Sequence, residues 1–257
     1  MQRRTMLGLA AALGLSRALP AAAWAATPAG QARPVPGTTN GVTAELITYL
    51  SHGKPIRAAV FRPGANARGS GMVFMHGSGG GIGLYPVQMA QHFAEDGYVA
   101  VIPTYLDAAA DDIVRPEPVM DAWRDCGSDA IEWLISQGID RRRTGIMGYS
   151  LGSFIAVDGA LGSTSQAGAA IALCGGWDVY IPRHPARRIP VLFIRAQRDT
   201  HVRPQSTERW REFLDDAEVP VRVEVIRGAG HLMNKTQWEE VYVRASTFFN
   251  GNIGRTL

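Results

Sequence analysis

Cysteine is scarce in this chain: Cys126 and Cys174 are the two in 257 residues. Two thiols so far apart in sequence make no disulfide framework. Cys126 falls in a helical pattern and Cys174 ends an apolar strand pattern, so both read as buried free thiols. The histidines, cysteines and acids show no metal-ligand spacing, and no metal is expected. A basic surface is also lacking. The net charge is +3, but three arginines lie in residues 1–25, which hold no acid, and the rest of the chain carries 23 basic against 23 acidic residues. That balance leaves no basic face for a nucleic acid partner. No internal repeat is present. The glycine-rich stretch His76–Gly83 never gives G-x-G-x-x-G, and no G-K-[ST] follows it, which excludes the nucleotide phosphate loops.

What the N-terminus does have is a targeting pattern. Arg3-Arg4 precedes the apolar run Leu7–Leu15, and Ala23-Trp24-Ala25 is a small-x-small cleavage site. The run is too short for a membrane span and is broken by Ser16, Arg17 and Pro20. Residues 1–25 are therefore expected to be a cleaved twin-arginine-type signal, giving a bacterial protein in the periplasm or outside, with no stable membrane insertion afterwards. Residues 26–44, rich in Ala, Pro, Gly and Thr, read as a lead-in without periodicity. The remainder, 45–257, is long enough and apolar enough (46% hydrophobic overall) for one α/β domain.

Along that domain, Glu45–Leu50 and Ile56–Arg62 read as a hairpin across Ser51–Pro55. Apolar strands follow at Met72–Met75, Tyr98–Pro103, Thr144–Tyr149, Ala169–Cys174, Val191–Ala196 and Val221–Ile226. Helical periodicity marks Pro86–Asp96, Val119–Gln137, Leu151–Leu161, Glu208–Ala217 and Thr236–Asn250. An antiparallel start followed by strand–helix alternation predicts a doubly wound, mostly parallel sheet with flanking helices. In such sheets chemistry lies at the carboxyl ends of the strands.

Gly148-Tyr149-Ser150-Leu151-Gly152 is G-x-S-x-G at a strand-to-helix junction, the pattern of a nucleophile elbow. Chance alone gives about 0.15 matches in a chain of this composition, so the context has to decide. A serine needs a base and an orienting acid. His231, in Gly228-Ala-Gly-His231, follows the last strand directly and is the candidate base. Asp199 follows the strand Val191–Ala196 and is the candidate acid, with Asp178 in reserve. Backbone N–H groups of Leu151 and of the loop His76–Gly83, Ser78 in particular, are the candidate oxyanion donors, and His76 would orient that loop. The order Ser150, Asp199, His231 is that of α/β-hydrolases. The competing reading is a binding protein on the same fold, which would commonly lack one of the three groups.

These residues resemble the α/β-hydrolase fold, and within it the dienelactone hydrolase family and its esterase relatives, over roughly residues 45–250. The hairpin, His76-Gly77-Ser78-Gly79-Gly80, Gly-Tyr-Ser-Leu-Gly, Arg198-Asp199 and Gly-Ala-Gly-His231 carry the resemblance. It implies about eight strands, no cofactor, and hydrolysis of a small-molecule ester through an acyl-enzyme. Dienelactone hydrolases proper have cysteine at the elbow; Ser150 here favours a serine esterase, with acyl transfer or peptide cleavage as alternatives. The stretch between Cys174 and Pro190 leaves little room for a lid, so an open or shallow pocket is expected. Leu84, Tyr85, Trp177 and Tyr180 are candidate walls. Arg183, Arg187 and Arg188 read as solvated loop arginines.

Overall fold

The computed structural model describes residues 33–34, 41–80, 84–110, 115–178 and 180–253, with the side chains of 33, 34 and 84 left aside. The expected signal, residues 1–25, lies outside them. Among the described residues nine strands form one sheet: β1 (Arg33–Pro34), β2 (Thr43–Ser51), β3 (Lys54–Arg62), β4 (Ser70–Met75), β5 (Tyr98–Pro103), β6 (Thr144–Tyr149), β7 (Ala169–Leu173), β8 (Val191–Ala196) and β9 (Val221–Ile226). Their spatial order is β1-β2-β3-β5-β4-β6-β7-β8-β9. The first three pair antiparallel, and β5 through β9 are mutually parallel with β4 and β6 at the centre. The eight strands read from sequence are all present. The lead-in adds to them, because Arg33 and Pro34 pair with Leu46 and Glu45 at the edge of the sheet. Proline is tolerated at that edge, where a strand needs no second partner.

Five α-helices among the described residues cover the two faces: α1 (Leu84–Glu95), α2 (Glu117–Ser136), α3 (Leu151–Ala160), α4 (Pro204–Asp216) and α5 (Lys235–Asn252). The period-2 alternation of the strands divides the core. Ile56, Ala58 and Val60 of β3 and Val191 and Phe193 of β8 pack with α2, α3 and α4. Ala59 and Phe61, then Leu192, Ile194 and Ala196, pack with α1 and α5 on the other face. Every residue of α3 is buried, which suits the helix behind the central strand and explains why its sequence shows no polar stripe. Cys126 and Cys174 are both free and buried, in the cores on opposite faces of the sheet. Among the described residues no helix is long and apolar enough to cross a membrane.

The strand order reverses around β4, whose neighbours are β5 and β6. That reversal opens a crevice at the carboxyl ends of β4 and β6. The loop of His76 leaves β4 there, and Ser150 leaves β6.

Candidate active site

Ser150 adopts φ 55°, ψ −123° between β6 and α3, a sparsely populated conformation for a residue with a side chain. The packing around it accounts for both flanking glycines. A Cβ on Gly148 would run into the Gly152 carbonyl, and one on Gly152 into the carbonyls of His76 and Met75. The Ser150 N–H donates to the Leu173 carbonyl at 2.9 Å, which ties the turn to β7.

His231 lies on the loop between β9 and α5, and α5 starts behind it with a capping box between Asn234 and Gln237. Its Nε2 is 2.9 Å from Ser150 Oγ and its Nδ1 is 2.8 Å from Asp199 Oδ2. The second Asp199 oxygen accepts the backbone N–H groups of His201 and Val202, each at 2.9 Å. Asp199 and His231 are 6% and 9% exposed. Burial pushes the Asp199 carboxyl up, but the hydrogen bond from His231, the Val202 N–H, the nearby imidazole and the His201 N–H outweigh it and hold the carboxyl below the usual range. An ionised carboxylate only accepts, so the proton of a neutral His231 sits on Nδ1 and Nε2 is left to accept from the serine hydroxyl. The structure thus joins Ser150, His231 and Asp199 in one hydrogen-bonded chain. Asp178 is exposed and lines a groove together with Trp177 and His201.

The loop after β4 abuts the elbow. A Cβ on Gly77 would sit 3.5 Å from Ser150 Cβ. His76 is buried beneath this loop with Nδ1 2.8 Å from the Gly77 carbonyl, and it stacks on Tyr105 at 4.2 Å. Burial lowers its pKa, so it stays neutral and donates to that carbonyl. Ser78 is exposed in the turn that follows. Leu151 is the first residue of α3, where a helix offers its N–H no internal acceptor.

Three features near the chain carry no signal in the sequence. His201 stacks on His231, with ring centroids 4.8 Å apart at 24°. Tyr149 stacks on it at 5.3 Å and 29°, and its hydroxyl donates to the His231 carbonyl at 2.7 Å. Cys174, at φ 52°, places its sulfur within 4.8 Å of Asp199 and His231. Burial, together with the Asp199 charge, pushes that thiol far up, so it stays protonated and is no rival nucleophile. No other group of three metal-capable side chains is this close among the described residues.

Of the expected walls, Trp177 lines an open polar groove of ≈ 560 Å³ together with Thr200, His201, Arg203 and Arg209. The Arg209 guanidinium lies 3.9 Å from the Trp177 ring centroid. His201 is shared by this groove and the His231 stack. Tyr180 packs on Phe154 and accepts a hydrogen bond from Arg115, and Tyr85 stacks on Trp238. The side chain of Leu84 is outside the described set. The loop arginines are engaged: Arg183 with Glu117 and Asp121, Arg187 with the Ala160 and Ala167 carbonyls, and Arg188 with Glu218.

Strand order, elbow and crevice are those of an α/β-hydrolase. The dienelactone hydrolase family model matches residues 56–248, and the chain belongs to that family. A comparison with curated protein sequences returned no match. Among solved structures, a candidate dienelactone hydrolase of Klebsiella pneumoniae subsp. pneumoniae superimposes with a TM-score of 0.67 at 20% identity, over 82% of this chain and 99% of that one. A dienelactone hydrolase-like promiscuous phosphotriesterase from metagenomic libraries gives 0.68 at 14% identity, over 83% and 99%. The acylaminoacyl peptidase of Pyrococcus horikoshii gives 0.67 at 16% identity, over 85% of this chain and 43% of the longer one. At these identities the likeness speaks to the fold.

Proposed function

We propose that this protein is an exported serine hydrolase that cleaves carboxylic esters, lactones included, of small or accessible substrates. The observation that carries the reading is the chain of 2.9 Å and 2.8 Å contacts from Ser150 through His231 to Asp199, set at a strained strand–helix turn. Ser150 attacks the carbonyl while His231 takes its proton. Asp199 holds the imidazole and stabilises the imidazolium. The N–H groups of Leu151 and Ser78 receive the oxyanion. His231 then returns the proton to the leaving alcohol and activates water to release the acid. The groove beside Trp177 suits a substrate that needs no deep acyl tunnel. The paired arginines and small-x-small site of residues 1–25 support export to the periplasm or beyond.

The test is hydrolysis of a chain-length series of p-nitrophenyl esters by the wild type beside Ser150→Ala, with aminoacyl anilides in parallel. Short esters should be cleaved, and Ser150→Ala should lose about 10⁴-fold or more in turnover while folding normally. Preferred cleavage of the anilides would shift the reading to a peptidase. If no substrate is cleaved and a fluorophosphonate leaves Ser150 unlabelled, the hydrolase reading fails.

A further inference from the structure

His231 sits on a loop with little regular structure. Residues 227–234 hold no helix or strand, only a turn at 227–228 and a bend at 231–232, and Gly228 is left-handed at φ 69°. A base on such a loop needs outside anchors, because a misplacement of about 1 Å can cost on the order of a hundredfold in rate. The acid's side supplies some of them. Arg198 N–H donates to the Ala229 carbonyl at 2.7 Å, and Gly228 N–H donates to Gln197 Oε1 at 2.8 Å. The anchor on the histidine's own carbonyl comes from the nucleophile's side, where Tyr149 adjoins Ser150 in the chain.

We infer that Tyr149 is a positioning residue that sets the Ser150–His231 distance, tying the strand of the nucleophile to the loop of the base by a hydroxyl-to-carbonyl hydrogen bond and a ring contact. The inference rests on the serine hydrolase reading above and adds a residue to it. One peptide unit separates Tyr149 from Ser150, so a shift of either is felt by the other. The elbow glycines, closed against backbone on both sides, prevent the pair from drifting. The tyrosine is braced in turn: Trp238 of α5 meets its ring at 5.4 Å and 67°, and Tyr85 stacks on Trp238 at 5.0 Å. Burial, with the Asp199 charge added, pushes the phenol far above its ordinary range, so it remains a donor throughout the working range of a histidine base. Phenylalanine would fill the same space and leave the His231 carbonyl without this donor.

The experiment is Tyr149→Phe, read by fluorophosphonate labelling and by ester hydrolysis. The labelling end point counts competent sites, and its rate reports serine reactivity per site without reference to any ester. The expected result is an unchanged labelled fraction and KM, with both the labelling rate and kcat lower by about tenfold. A residue with only a structural role would lower the unfolding temperature or the labelled fraction and leave the rate per labelled site at the wild-type value; that result overturns the inference. If Tyr149→Phe does not fold, Tyr149→Leu is read in the same way, and a wild-type rate per site in it overturns the inference equally. A wild type that neither labels nor cleaves sinks the hydrolase reading and this inference with it, whereas a labelled wild type with an unaltered variant sinks this inference alone.

Discussion

Gly152 lies so close to the main-chain carbonyl of His76 that a Cβ there would collide with it and with the carbonyl of Met75. The first turn of α3 and the glycine loop after β4 are therefore held at backbone contact, which brings the elements carrying Leu151 and Ser78 together. Gly152→Ala should force them apart. A loss of about 3 kcal/mol in stability is expected, the upper range for overpacking a site that cannot relax, together with loss of ester hydrolysis. Thermal unfolding and turnover check this; a variant with wild-type values of both would show that the elbow has slack.

Asp199→Asn keeps the shape of the acid but not its charge, and Nδ1 of His231 is no longer held as the donor. Turnover should fall by about 10³–10⁴-fold. The same substitution tests a linkage. The Asp199 carboxyl is held below its ordinary value of 3.8, so its contribution to stability is present above that value and is lost as pH falls through the lower folded-state value. Urea unfolding at pH 6 and pH 3 should show the wild type losing a stability increment on acidification that Asp199→Asn lacks. Parallel losses in the two proteins would contradict the assignment.

The parts of this molecule governed by local pattern were readable in the sequence. Apolar runs bounded by turn signals and helical periodicity gave eight strands and five helices, and the order Ser150, Asp199, His231 put three side chains at strand ends that the fold brings together. Local pattern failed where pairing is not local. Arg33–Pro34 has no periodicity, and only its pairing with β2 makes it a strand. Helix α4 begins at Pro204, ahead of the expected Glu208, because its first turn is polar and shows no apolar stripe. Tyr149 meets His231 across 82 residues, and nothing in the spacing of either announces the contact. Arg183 is exposed, as a loop arginine was expected to be, but its partners Glu117 and Asp121 lie on a different element and are not visible to local pattern.

The two thiols should be silent in the native protein. Cys126 is enclosed beside Tyr49, with the hydroxyl 2.9 Å from its sulfur, and burial pushes its pKa up to about 12. Cys174 is raised by the same cause. Thiolate is the reactive form, so both should resist alkylation. Iodoacetamide followed by mass measurement is expected to leave the native chain unmodified and to add two groups in urea. Modification of Cys174 in the native state, with loss of activity, would mean that the acid end of the site opens to solvent.

The last expectation concerns Asp158, buried in α3 beside the buried guanidinium of Arg124. Arg124 Nε lies 2.6 Å from Asp158 Oδ2, close enough for charge attraction though not aligned as a hydrogen bond. Arg183 N–H donates to Oδ1 at 2.9 Å. Arg124 also holds Glu117 and Asp121 at 2.6 and 2.8 Å, so its charge is shared among three acids. Burial therefore dominates, and the Asp158 carboxyl is raised from 3.8 to about 6. With the folded value above the unfolded one, the folded state holds the proton longer. The contribution of this group to stability is full below pH 3.8 and is lost as pH rises through about 6. Asp158→Asn mimics the protonated form at every pH. Its cost, measured by urea unfolding, should be larger at pH 4.5 than at pH 7.5. The opposite order would mean that attraction to Arg124 outweighs desolvation, and that the buried pair favours the anion.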